Sequence, residues 1–476
     1  MISITNLPDD VLIAIFHEFS VPTEAGNPSS LDARSPPWIL TCVSRSWRAL
    51  TISAPMLWAK LRIPVLQHFL ASTHRHKYTT AAIVARTQRV LELTQKCKLD
   101  IAISTESSQA IPLLKKIMPI ICATAPRWKR FTADVSHALF EALQAPKFFP
   151  CLEHLELNFS MIYVQSPASD EASTTIDCFR NAHALRSLTL NATDQECHSF
   201  TLELLLPWEH LTAYSTNMRH MLNHNFYLLS GIQQLHAELH YEFSDDEVMA
   251  RRQVFPQLST LHLDLPSYEA CEESEPWNFH IASILKNLHA PSLATLKLSI
   301  DNFQVVPKPL LLQCNLDNLS ELSICEYLPI ISADTLEFLR LTPNVEVLHI
   351  AGDDQEYLNA LLGDLLAFPS TPVALPRLRV LCVNVNDVDI ECPHTIVKVA
   401  LQRRGAIAHK LWTPLEEVRV LGDPAFGHKD IGCAKSVLQR EYNRQKSLYP
   451  FYEDEGLPPL RIDGAESGFW HTTRGC

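Results

Sequence analysis

The chain has 476 residues, more than a single hydrophobic core ordinarily grows to, so several units or a repeat array are expected. Acidic side chains outnumber basic ones by 53 to 40, the formal net charge is −13, and no block of five or six Lys or Arg occurs, which argues against nucleic acid and acidic membrane as partners. The 13 Cys include no C-x-x-C pair and follow no recognisable secretory leader, pointing to free thiols in a reducing, intracellular compartment, cytoplasmic or nuclear. The longest apolar runs, such as Pro309-Leu310-Leu311-Leu312, fall far short of the roughly 20 residues that span a bilayer.

At the N-terminus, Pro8 suits a first helical position and Asp9 and Asp10 place negative charge at the positive end of the helix dipole. Val11, Leu12, Ile15, Phe16 and Phe19 then form a wide apolar stripe on one helical face. Ile39, Leu40, Val43, Trp47 and Leu50 repeat the pattern on a second helix, and Ser53 with Pro55 starts a third that ends near Trp58. Three such short helices cannot bury all their apolar surface among themselves, so a docking face is expected.

These signatures, Leu7-Pro8, Ile15-Phe16 behind the acidic pair, Val43-x-x-x-Trp47 and Pro55-x-Leu57-Trp58, resemble an F-box over residues 1–61. The resemblance implies that Leu7, Pro8, Leu12, Ile15, Phe16, Val43, Trp47 and Trp58 bind the Skp-family adaptor of an SCF-type ubiquitin ligase, and through it a cullin. The stretch 20–37, rich in Pro, Ser and Gly, departs from the family's short turn and is expected as a surface loop of small entropic consequence. The other reading is an ordinary helical hairpin packed on its own chain. Residues 62–97 are expected as a helical linker.

From about Lys98 the chain repeats itself. The pattern L-x-x-L-x-L, with Ile or Val allowed, begins at Leu152, Leu185, Leu258, Leu293, Leu319, Val345, Leu378 and Leu415, with weaker copies at Leu211 and Ile232. Four of the nine gaps are 26 residues, a period that resembles leucine-rich repeats, in which a short strand alternates with a return segment. Lys98–Ile103 and Arg127–Val135 are expected as two earlier strands. Ile281, Ile284, Leu285 and Leu288, and then Leu358, Leu361, Leu362, Leu365 and Leu366, have the spacing of convex return helices. Pro150, Pro256, Pro291, Pro343, Pro376 and Pro414 precede many copies, where Pro ends a helix and sets the chain up for extension. The place that commonly carries Asn, eight residues after the first Leu, holds Asn in one clear copy, Asn386, so no asparagine ladder is expected.

The order of parts resembles fungal, basidiomycete-like F-box proteins and implies an α/β chain. A three-helix F-box precedes an irregular leucine-rich-repeat solenoid over 98–430, a curved parallel sheet with helices on its convex side. Residues 431–476 are a capping helix, Ile431 to Tyr442, and an irregular tail. Side chains alternating with the apolar ones then face the concave side. The candidate target-binding set is His154, Glu156, Asn158, Thr189, Asn191, His262, Asp264, Lys297, Glu321, His349, Asn384, Glu417 and Arg419. Ten strands at roughly 4.8 Å spacing make a face about 43 Å across, enough for a folded partner or a peptide. The other reading leaves this face merely solvated, with binding on loops or the C-terminal end.

Metal and cofactor signals are weak. His220-x-x-x-His224 lacks the Glu of H-E-x-x-H, and Cys197-His198 and His74-x-His76 lack partners at zinc spacing. Neither G-x-S-x-G nor G-x-x-x-x-G-K occurs. The expectation is a non-catalytic substrate receptor without cofactor or metal; the alternative is a repeat scaffold that does not direct ubiquitin transfer.

Overall fold

The computed structural model describes residues 7–20, 30–32, 34–63, 80–104, 111–135, 139, 142–143, 148–159, 174–192, 202–217, 226–238, 253–264, 288–300, 316–326, 338–352, 375–385, 416–422 and 460–464. It is an α/β structure of parallel ladders in two compact units, 1–229 and 230–476.

The first unit opens with α1 (Asp9–Ser20), whose first backbone bond runs from the Leu12 N–H to the Pro8 carbonyl at 3.0 Å. The expected second helix is broken in two, α2 (Leu40–Val43) and α3 (Arg45–Ser53). Ser44 is the cause: its backbone is extended, φ −154° and ψ 168°, and its hydroxyl accepts from the Trp47 N–H at 3.1 Å, an N-cap that restarts the helix. The third element is a 3₁₀ turn, Pro55–Trp58. Trp58 anchors it, buried against Trp38 with ring centroids 4.8 Å apart and donating Nε1–H to the Thr51 carbonyl at 2.8 Å. The end of the 20–37 stretch is more than a surface loop. Leu31 is buried, the Ser30 hydroxyl donates to the Lys60 carbonyl at 2.9 Å, and the same oxygen accepts from the Arg62 N–H at 2.9 Å.

The sheet begins earlier than Lys98. Strand β1 (Lys60–Ile63) pairs parallel with β2 (Leu99–Ile103), and the helix Thr80–Leu93 lies between them in sequence. After the helix Ile111–Cys122 come β3 (Trp128–Val135), β4 (His154–Phe159), β5 (Thr174–Ile176), β6 (Ser187–Ala192), β7 (Leu202–Leu204) and β8 (Ala213–Thr216). The main ladder runs β1-β2-β3-β4-β6-β8, and β5 and β7 form a separate parallel pair. Strict alternation places Ile101, Phe131, Leu155, Leu157, Leu188, Leu190 and Tyr214 in the core, where Trp128 stacks on Phe131 at 4.6 Å.

The second unit contains β9 (Gln234–Glu238), β10 (Gln253–Val254), β11 (Thr260–Asp264), β12 (Leu288–His289), β13 (Thr295–Ile300), β14 (Glu321–Glu326), β15 (Val347–Gly352), β16 (Val380–Val385), β17 (Glu417–Gly422) and β18 (Leu460–Gly464). Its ladder runs β9-β11-β13-β14-β15-β16-β17-β18 in parallel, with β10 and β12 paired apart. All eight clear repeat copies, and both weaker ones, are therefore strands of these ladders. Two expectations change here. Leu288, read as part of a return helix, lies in β12. The tail beyond Pro450, read as irregular, contains β18, whose Leu460 pairs with Val418. The remaining return-helix residues and the expected capping helix 431–442 lie outside the described residues.

The introducing prolines have a sharper role than stopping a helix. The N–H of the first repeat Leu donates to the carbonyl three residues back, Leu152 to Phe149 at 3.4 Å, Leu258 to Phe255 at 3.3 Å, Leu293 to Ala290 at 3.1 Å and Leu378 to Leu375 at 3.2 Å. Pro150, Pro256, Pro291 and Pro376 thus occupy the second place of a recurring four-residue turn, where the ring's fixed φ is pre-set. The residue after the turn joins the preceding strand, as when Ala294 N–H donates to Ser259 at 2.9 Å, so each turn fixes the register of the strand it introduces.

Candidate functional site

Two surfaces carry the candidate residues. The first is the N-terminal helical group. Leu12 and Phe16 point inward on α1, and Phe16 packs on Trp47 of α3 with ring centroids 4.6 Å apart. The neighbouring stripe of the same helix, Val11, Ile15 and Phe19 at i, i+4 and i+8, is exposed, with Phe19 at 57 %. Ile39, Val43, Ile52 and Met56 are exposed too, Val43 at 58 %. Of the ten large apolar side chains found exposed among the described residues, these seven belong to residues 9–58, a concentration that scattered surface apolar residues do not produce. Of the eight adaptor-binding candidates, Ile15, Val43 and Pro8 are exposed, Leu7 and Trp47 are half-buried, and Leu12, Phe16 and Trp58 lie in the core. The last three shape the face from beneath.

The second surface is the polar side of the repeat strands. Every target-binding candidate lies on a strand, at a position alternating with the apolar ones. The side chain of Asn384 lies outside the described residues. The others are half-buried, except Asp264 and His349, which are buried, so this side is less open than a simple solvated sheet.

In the first unit a ladder of polar side chains crosses the strands. The Ser104 hydroxyl donates to Asp134 Oδ2 at 2.6 Å, Asn158 Nδ2 donates to Asp134 Oδ1 at 3.1 Å, and Asn191 Nδ2 donates to Asn158 Oδ1 at 2.9 Å. The expectation of no asparagine ladder concerned the place eight residues after the first Leu; this polar row lies two residues earlier, where in-register strands set Asp134, Asn158 and Asn191 side by side. Beside it Thr132 donates to Glu156 at 3.2 Å, and burial, with Arg130 next in weight, lowers the His154 pKa.

In the second unit the registers align His236, His262, Lys297, Ser323, His349, Cys382 and Arg419 in one row. His236 and His262 stack with ring centroids 4.2 Å apart and planes 10° apart. Asp264, two residues after His262 and so on the same side of β11, joins them, and one donor atom from each of the three lies within 4.8 Å of the others. Burial, followed by the His236 and Lys297 charges, lowers the His262 pKa to about 3, and burial raises Asp264 to about 6, partly offset by the Ser299 hydroxyl. Asp264 Oδ1 and His262 Nε2 are buried without a hydrogen-bond partner. Among the described residues this is the group of His, Cys, Asp and Glu placed to hold a metal ion. His236 was missed because its copy, beginning at Ile232, is weak; aligning the copies column by column puts it beside His262. His220, His224, Cys197, His198, His74 and His76 lie outside the described residues.

Further along, His349 Nε2 is 3.7 Å from Glu321, and Arg419 donates to Glu417 at 2.9 Å. The described cysteines are all free, and no described helix is long and apolar enough to cross a membrane. No family model matches the chain, and no curated protein is similar to it in sequence.

Proposed function

We propose that the chain is the substrate-recognition subunit of an SCF-type ubiquitin ligase: an F-box that docks a Skp-family adaptor, and through it a cullin, followed by a leucine-rich-repeat solenoid that binds a target protein. The observation that carries this reading is the apolar stripe Val11, Ile15 and Phe19, left exposed on a helix whose adjacent stripe is buried. These side chains are 39–57 % exposed, so a partner that covers them recovers roughly half of the value of full burial, on the order of 1 kcal/mol each. The F-box-like signatures of residues 1–61 supply the partner's identity, and the parallel one-strand-per-repeat ladders support the solenoid.

The chain does no bond chemistry in this reading. It raises the effective concentration of a target lysine near a charged ubiquitin-conjugating enzyme. The test is co-purification of the full chain with a Skp-family adaptor, alongside a variant carrying Ile15→Asp and Val43→Asp. Adaptor recovered with the parent and lost with the folded variant supports the reading. Adaptor recovered with neither leaves the scaffold alternative, in which the repeats bind partners without directing ubiquitin transfer.

A further inference from the structure

Three donors of the second unit converge, and two of them, Asp264 and His262, present buried atoms that no hydrogen bond satisfies. A buried Asp normally has its oxygens satisfied, yet Asp264 is 7 % exposed and its Oδ1 has no partner. Stacked histidines at 4.2 Å normally answer to an acid or a carbonyl, yet the buried Nε2 of His262 also lacks one. Leaving such groups unsatisfied in a fold is costly, on the order of 1–3 kcal/mol apiece. A divalent cation satisfies them together, since it takes lone pairs from neutral imidazoles and cancels the carboxylate charge.

We infer that His236, His262 and Asp264 form a binding site for a divalent cation of the zinc class. The ligand chemistry selects the ion. Two imidazole nitrogens and one carboxylate suit Zn²⁺ and its borderline neighbours, whereas Ca²⁺ and Mg²⁺ demand shells of oxygen. The fold supplies the geometry: parallel register puts His236 opposite His262, and the two-residue repeat of a strand puts Asp264 on the same side. Ligands at about 2.0–2.2 Å from one tetrahedral ion sit roughly 3.3–3.6 Å apart, so donors spread over as much as 4.8 Å close by more than about an ångström as the ion enters. Three protein ligands leave a fourth position open, and on this side of the strands it faces the surface proposed to hold a target, so a carboxylate or imidazole of a bound protein can complete the shell. Ser299, in register with Asp264, stands where a hydroxyl orients a metal-bound carboxylate. Lys297, in register with His262, opposes the cation and weakens the site without removing it. The site does not depend on the adaptor-binding reading.

The full chain, freed of metal by a chelator and exchanged into Zn²⁺ or Co²⁺, tests this. Zn²⁺ stoichiometry is measured by calorimetry, and Co²⁺ coordination by visible d–d absorption, which reports nitrogen and oxygen ligands apart from thiolates. The expected result is one ion per chain at roughly micromolar affinity or tighter, weakened at least about tenfold by His262→Gln and by Asp264→Asn and unchanged by His183→Gln. Asp264→Asn keeps the volume of the side chain, so its fold, checked by circular dichroism, stands in if His262→Gln unfolds. Binding that ignores both substitutions, that shows thiolate-to-cobalt bands alone, or that is absent at roughly 100 µM metal overturns the site.

Discussion

Asn191 donates its amide to the Asn158 carbonyl oxygen at 2.9 Å while Asn158 donates its own amide to Asp134 at 3.1 Å, so the middle residue is both donor and acceptor in one chain of hydrogen bonds. Such a chain fixes adjacent strands side to side, because each amide fits only where its neighbours are in register. Asn158→Ala removes both bonds at once and leaves half-buried partners short of one each. The expected cost is about 1–3 kcal/mol, read as a lower urea midpoint at unchanged slope. Asn158→Asp is expected to cost more, since it sets a second carboxylate beside Asp134; equal midpoints for the two variants would argue that the ladder is decorative.

In the proposed reading, the two stripes of α1 separate docking from folding. Leu12 is 4 % exposed and Ile15 is 42 % exposed, though the pair is three residues apart on one helix. Leu12→Asp buries an unpaired charge in the core beneath α1 and is expected to cost more than about 3 kcal/mol, with loss of helix signal from the N-terminal group. Ile15→Asp leaves circular dichroism and thermal midpoint nearly as they were and still abolishes adaptor co-purification. An Ile15→Asp chain that keeps its adaptor at parental affinity removes the exposed stripe from the docking role.

Much of this architecture was legible in the pattern L-x-x-L-x-L, because its alternation is the burial rule of a strand and the apolar positions from Leu155 to Leu381 became core. What escaped had weaker local signals. Ser44 breaks a helix through a side-chain cap, and the apolar periodicity on either side runs through it unchanged. β1 and β18 are short and belong to no repeat match, so their pairing with β2 and β17 is decided by the exposed ladder edge they meet. Leu288 fits helical spacing with Leu285, but its segment pairs with β10. The His236, His262 and Asp264 group spans two repeats of unequal clarity, and a search for zinc spacing along the chain passes over ligands that come together only by register.

The turn prolines offer a test of the repeat punctuation. Pro256 and Pro376 hold φ for turns closed by Leu258 N–H to Phe255 at 3.3 Å and Leu378 N–H to Leu375 at 3.2 Å. Pro256→Ala and Pro376→Ala keep both bonds and enlarge the freedom of the unfolded chain, so each is expected to destabilise by about 0.4–1 kcal/mol. The two turns share no partner, so the double variant is expected to show the sum within about 0.5 kcal/mol in urea unfolding. A neutral result for both would mean that the turns form as readily without the ring.

His349 gives the second unit a pH dependence of defined sign. It is 5 % exposed, and burial, followed by Lys297 and Arg419, lowers its pKa to about 4; Glu321, at 3.7 Å from Nε2, is too distant to reverse this, and its in-register neighbours Ser323 and Cys382 add no negative charge. An unfolded histidine titrates near about 6.5. Between about pH 6.5 and 4 the unfolded chain takes up a proton that the folded chain refuses, so stability falls as pH is lowered through that window and is unaffected by this group above it. The full difference is worth up to about 3 kcal/mol. Other groups titrate in the same range, so the quantity to measure is the slope of unfolding free energy against pH in the parent minus that in His349→Gln. The variant is expected to show the shallower slope between pH 6.5 and 4. Equal slopes would place the proton on His349 in the folded chain, held there by Glu321.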